Sequence, residues 1–176
     1  MLALHADPGA FAEDLTEPLS DRAQMRWVLG RWRESWAEHG LGYLSIRAHR
    51  PAHEIAGDGP PPGSAPLPQG LLGVVGLTPL TTADRPALSA YWRLSPAATG
   101  RGVATEAMRA VLAHPQLGGR DGDGDGDGGA EIIAVTALAN RASLALALRL
   151  GFVPAPPERP VPGGRGGDVL LVLAGS

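Results

Sequence analysis

The sequence predicts an α/β fold, and three stretches carry the prediction. From 88 to 94 an apolar run with aromatics leads through a glycine-bearing turn into Ala104, Ala107, Met108 and Val111, a strand–turn–helix pattern. From 131 to 137 a continuous apolar, β-branched run reads as a strand buried on both faces, which implies a parallel partner. From 21 to 39 and from 140 to 150, apolar residues fall at helical spacing. With 176 residues, 44% of them hydrophobic, residues 1–176 are expected to form one domain with a real core.

Composition removes several kinds of chemistry. There is no cysteine, so disulfides, thiolate catalysis and Cys-ligated metals are excluded. A net charge of −3 gives no broad basic surface for nucleic acid or an anionic membrane, although all fifteen basic residues are arginine. GC-rich codon usage, seen also in 25 Gly and 17 Pro, accounts for that better than a functional avoidance of lysine. Met1-Leu2-Ala3-Leu4-His5 lacks the basic and long apolar regions of a leader, and no apolar run approaches membrane-spanning length, so a cytoplasmic location is expected.

In chain order, Asp21 stands as a helix N-cap with Gln24 three residues on, and Met25, Val28, Leu29, Trp32 and Trp36 share a face until His39-Gly40 stops the helix. The Trp32/Trp36 stripe suits core packing, with an acceptor groove as the alternative. Leu41 to Ala48 and Leu71 to Leu77 read as strands joined by a Pro/Gly-rich loop, 57–70, whose prolines deny ladder hydrogen bonds. Leu88 to Leu94 is the central strand, and the helix from Gly102 to His114 ends at Pro115. At its start, free N–H groups and the positive end of the dipole form an anion site, which Gly100 and Gly102 open to a phosphate. A tight turn without a ligand is the alternative.

The Asp-Gly loop 118–129 superficially matches a calcium loop opening at Asp121, but Ile132 stands where the bidentate Glu belongs, and a register opening at Asp123 puts Ala134 there. No metal site is expected. After the strand Glu131 to Ala137, Asn140-Arg141-Ala142-Ser143-Leu144 opens a helix that Gly151 stops. A third Pro/Gly loop, 154–167, leads to a last strand, Asp168 to Leu173.

Tyr91-Trp92 followed by Gly100-Arg101-Gly102-Val103-Ala104-Thr105-Glu106-Ala107 resembles the acetyl-CoA-binding motif of the GNAT N-acetyltransferases. Gly102 and Ala104 fall on the fourth and sixth positions of that motif, while Thr99 stands at the first, where the family prefers Arg or Gln. The closer resemblance is to the branch that acetylates ribosomal-protein N-termini, with Val103 replacing a Tyr. Asn140, Ser143, Leu150, Gly151 and Phe152 match a second family motif, and Ala-Leu-His-Ala-Asp-Pro within Leu2–Phe11 resembles the end of the family's first helix.

The resemblance implies a mixed, mostly antiparallel sheet whose two central parallel strands splay to admit the pantetheine arm, flanked by helices. It implies acetyl-CoA as acyl donor, held by Arg93, Leu94, Thr99, Gly100, Arg101, Gly102, Val103, Ala104, Thr105 and Asn140, with no metal. It also implies a primary amine acceptor, a protein N-terminus or a small molecule. Backbone N–H on the Arg93-Leu94 edge would serve the oxyanion, and Ser143 would be the general acid, although a serine at that helical position can equally bond backbone. Ala147 replaces a tyrosine acid found in many members, and Leu88 a frequent glutamate. Among His39, His49 and Asp84 no base is singled out.

The chain enters the family pattern at Leu2, so the first strand is expected to be absent. That would leave the Leu41–Ala48 edge open for a homodimer. The competing function is a GNAT-like acyl-CoA-binding or interaction module that has lost catalysis. Dinucleotide binding fails because Thr105 stands where the third glycine is needed.

Overall fold

A computed structural model describes residues 1–13, 16–48, 67–82, 86–114 and 130–175. Its helices are α1 (Leu2–His5), α2 (Arg22–His39), α3 (Val103–Ala113) and α4 (Arg141–Arg149); its strands are β1 (Tyr43–Arg47), β2 (Leu71–Thr81), β3 (Pro86–Leu94), β4 (Glu131–Ala137), β5 (Phe152–Pro154) and β6 (Asp168–Leu173). The strands form one sheet in the order β1-β2-β3-β4-β6-β5, antiparallel throughout except for β3 against β4. This is the mixed, mostly antiparallel sheet that the resemblance implies.

The caps of α2 follow its sequence. Asp21 accepts hydrogen bonds from the N–H groups of Ala23 at 2.7 Å and Gln24 at 2.9 Å, and Gln24 Oε1 accepts from Ser20 N at 2.8 Å. The backbone N–H groups of Gln24 and Ala23 hold the Asp21 carboxyl below the usual carboxylate range. At the other end Gly40, with φ 64°, donates its N–H to Trp36 O, the left-handed stop that glycine takes without strain.

One cluster dominates the core. Val75, Leu77, Leu88, Ala90, Ile132 and Ala134 from the sheet meet Met108 and Val111 of α3 and Ala147 of α4. Trp36 packs against this cluster, and its Nε1 donates to Tyr43 O at 3.2 Å, so the core reading of that tryptophan holds. Trp32 instead meets Tyr43 edge-on at 4.8 Å, and Tyr43 meets Tyr91 at 4.8 Å across Gly76. Gly76 has to be glycine, because any Cβ there would strike the Gly42 carbonyl oxygen.

Three strands exceed the sequence expectation, β3 by starting at Pro86. β2 continues to Thr81 through Pro79. Ser95 N donates to Leu72 O, so even-numbered residues of β2 bond toward β3 and odd-numbered ones toward β1. The β1 pairing ends at Tyr43↔Gly76, and the missing N–H of Pro79 therefore removes no ladder bond. β5 lies in what reads as the end of a helix and the start of a linker. It pairs Phe152, Val153 and Pro154 with Leu173, Val172 and Leu171 at the sheet edge. At the opposite edge, β1 bonds to β2 on one side and to no other strand among the described residues. The loops at 57–66 and 118–129, with His49 and Asp84, lie outside the described residues.

Candidate functional site

The site is the place where the sheet comes apart. β3 and β4 pair only at Ala87↔Glu131, Leu88↔Ile132 and Ser89↔Ile133, although β3 continues to Leu94 and β4 to Ala137. The backbone of β3 alternates, and the Ser95-to-Leu72 bond turns its odd-numbered groups toward β2. The N–H groups of Ala90, Trp92 and Leu94 therefore face the opening. Of the predicted Arg93-Leu94 pair only Leu94 offers its N–H there; that of Arg93 belongs to the β2 ladder, a strand-parity correction that spacing alone does not reveal.

The Arg93 side chain is buried on the other face. Its Nε donates to the Tyr91 hydroxyl at 2.7 Å, its Nη1 donates to Ala10 O at 2.7 Å, and its guanidinium carbon lies 3.5 Å from the Phe11 ring centroid. These contacts dock the Pro8–Phe11 turn onto β3. Behind it His5 is buried edge-on to Trp32 at 5.4 Å, and burial is the main cause that pushes its pKa down, with Arg93 adding to it.

Beyond Leu94 the chain makes a short turn, Pro96–Ala98, and reaches Gly100 with φ 70° and Gly102 with φ 78°. Gly102 is the N-cap of α3, and the first helical bond is Glu106 N to Gly102 O at 2.9 Å. The N–H groups of Gly102, Val103, Ala104 and Thr105 thus have no intrahelical acceptor. Among the described residues, chain neighbours aside, no atom lies within 4 Å of a Cβ built on Gly100 or Gly102, so the turn presents bare, approachable backbone to an anion. The side chains of Val103 and Ala104 are buried, leaving only their backbone to the site, and Arg101 is exposed. Thr99 turns its hydroxyl back to Pro96 O at 2.8 Å.

Across the opening, Asn140 caps α4 by accepting from Ser143 N at 2.9 Å. The Ser143 hydroxyl accepts from the Trp92 indole Nε1 at 3.1 Å. Sequence reasoning misses this contact, since the two residues lie 51 positions apart; the only local signal is that Trp92 shares the parity of Leu88 and Ala90. Leu88 and Ala147, where the resemblance raises the expectation of a glutamate and a tyrosine, are buried in the core. His39 sits at the end of α2 beside Glu38. Among the described residues no cluster could hold a metal ion, and no helix is long and apolar enough to cross a membrane.

The family model described as an acetyltransferase (GNAT) domain matches residues 1–153. A search of curated proteins finds no match. Among solved structures, the chain is similar to an acetyltransferase from Agrobacterium tumefaciens, with 19% identity, 97% of this chain and 81% of that one covered, and a TM-score of 0.60. It is also similar to the microcin C7 self-immunity acetyltransferase MccE in complex with acetyl-CoA and AMP, with 15% identity, coverage of 97% and 83%, and a TM-score of 0.64. A ribosomal-protein-S5-alanine acetyltransferase from Vibrio fischeri matches with 16% identity, coverage of 97% and 85%, and a TM-score of 0.56. At these identities the likeness to solved structures is one of fold. The family model spans most of the sequence, and with the splayed strands and the bare glycine turn it shows that the chain belongs to the GNAT acetyltransferase family.

Proposed function

We propose that the chain transfers the acetyl group of acetyl-CoA to a primary amine. The observation that carries this reading is the parting of β3 and β4 after Ser89 and Ile133, beside a helix start with four N–H groups lacking intrahelical acceptors. The backbone of Gly102 to Thr105 would hold the pyrophosphate, flanked by Thr99, Gly100 and Arg101, and Leu94 N–H would lie along the pantetheine arm. Asn140 would contribute by fixing the start of α4.

Acetyl-CoA supplies an activated carbonyl: the amine nitrogen forms a C–N bond, the C–S bond breaks, and the electron pair leaves on sulfur. Leu94 N–H, turned into the opening, is a donor for the carbonyl oxygen as it gains charge. Ser143 gives its proton to the sulfur and recovers one from the attacking nitrogen, so the proton count closes without another reactant. Among the described residues no carboxylate or imidazole replaces Leu88 or Ala147 in the core, which favours acceptors that give up their proton readily near neutral pH. A protein N-terminal amine, with an ordinary pKa of ~7.7–8.0, meets that condition, as do weakly basic small-molecule amines.

The second reading, a binding module without catalysis, is favoured by the same two core residues. CoA release with a panel of N-terminal peptides and small amines decides between them: release above the uncatalysed rate supports transfer, and tight acetyl-CoA binding with no release for any amine supports the module. The edge of β1, which pairs with no second strand among the described residues, further supports pairing of two copies, which sedimentation would detect as a concentration-dependent dimer.

A further inference from the structure

We propose that Trp92 is a positioning residue for the acyl transfer, acting through Ser143: its indole N–H occupies the serine oxygen and commits the hydroxyl hydrogen to the leaving sulfur. The inference rests on the transfer reading above and gives a role to a tryptophan that the motif resemblance includes without assigning it one. An indole nitrogen only donates, so in the 3.1 Å Trp92–Ser143 contact the serine oxygen is the acceptor and its own hydrogen must point elsewhere. Ser143 N is held by Asn140 Oδ1, which fixes the first turn of α4 and the direction of the side chain.

The tryptophan is itself fixed. Its ring meets Phe152 edge-on at 6.3 Å, and Phe152 is 1% exposed. Trp92 lies on β3 beyond the last pair with β4, while Ser143 lies on the helix that follows β4. The indole–hydroxyl bond therefore joins the two arms where the backbone ladder has stopped. In the transfer the nitrogen loses one proton, the sulfur gains one, and Ser143 gives and regains one. Trp92 keeps its proton throughout, and its bond strengthens as the serine oxygen becomes more negative.

The test uses the full chain and two readouts: kcat with the best amine at saturating acetyl-CoA, and the ratio of affinities for CoA and desulfo-CoA by calorimetry. The second senses the hydroxyl–sulfur bond without turnover. Trp92→Phe keeps an aromatic ring against Phe152 and removes the N–H. It is expected to lower kcat about tenfold, the size of one hydrogen bond, with KM for acetyl-CoA within about twofold. The preference for CoA over desulfo-CoA should fall toward that of Ser143→Ala, and adding Trp92→Phe to Ser143→Ala should change neither readout further. If Trp92→Phe unfolds the chain, β-(3-benzothienyl)alanine at 92 removes the N–H at constant shape. Unchanged kcat and affinity ratio, or penalties that multiply in the double variant, overturn the proposal. A parent chain that releases no CoA with any amine defeats the transfer reading, and the affinity ratio then still decides whether Trp92 orients Ser143 toward sulfur.

Discussion

The two halves of the β3–β4 pair are built in opposite ways. In the closed half, Ala87 to Ser89 zip to Glu131 to Ile133, Ala87 and Ile133 are buried with Leu170, and Arg159 reaches back from the 154–167 loop to grip both oxygens of Glu131. In the open half, Ala90 to Leu94 part from Ala134 to Ala137, and the named cross-link is the hydrogen bond between Trp92 and Ser143. The same two strands thus have backbone groups spent on the sheet at one end and available to a ligand at the other. On the proposed reading the closed half fixes the angle of the fork and the open half carries the chemistry, so substitutions should separate accordingly.

The largest effect is expected in the open half. Ser143→Ala should lower kcat by ~10²–10⁴, the contribution of one positioned acid, while calorimetry finds acetyl-CoA affinity little changed. Next comes the turn. Gly102→Asp should weaken acetyl-CoA binding roughly 10- to 100-fold, since a charge-assisted contact contributes ~1.5–3 kcal/mol and a carboxylate would oppose it. Gly102→Ala, which strains φ 78° without adding charge, should weaken it less. Equal affinity of Gly102→Asp and the parent would remove the turn from the site.

The closed half should respond in stability alone. Glu131→Gln breaks a largely buried ion pair, with side chains 17% and 14% exposed, and should cost about 1–3 kcal/mol in denaturant unfolding while leaving acetyl-CoA affinity within a few-fold. A loss of affinity as large as that of Gly102→Asp would show that the halves are not separable. The smallest effect is that of pH on the N-terminal turn. The His5 pKa is depressed in the folded chain, mainly by burial, so the unfolded chain binds the proton more readily. Stability from this group is present above its unfolded pKa of ~6.5 and declines as pH falls through the window between that value and the lower folded one. Urea midpoints measured across this range should show the decline, and His5→Gln should flatten it; equal slopes in both would detach His5 from the effect.

The open half was the more legible in sequence, because its signals are local chemistry. Two glycines before an amphipathic helix, an asparagine three residues before a serine, and a β-branched run over 131–137 each name their own backbone geometry, and Glu131–Ala137 and Asp168–Leu173 are strands with the expected ends. What stayed hidden depends on register or on distance in the chain. Strand parity decides that Leu94 rather than Arg93 faces the opening and that Pro79 is harmless in β2. β5 is three residues long and ends in proline, too short for a period of two to show. The Arg93 contact to Ala10 spans 83 positions, and no local pattern marks it.

The central claim, that the open half and its turn form the acetyl-CoA site while the closed half is structural, is tested most directly by residue-resolved amide exchange with and without acetyl-CoA. The account predicts added protection at Leu94 and at Gly102 to Thr105, whose N–H groups lack ladder or helix acceptors, with little change at Ala87 to Ser89 and Glu131 to Ile133. Protection confined to other residues, or none at Gly102 to Thr105 under saturating acetyl-CoA, would contradict it.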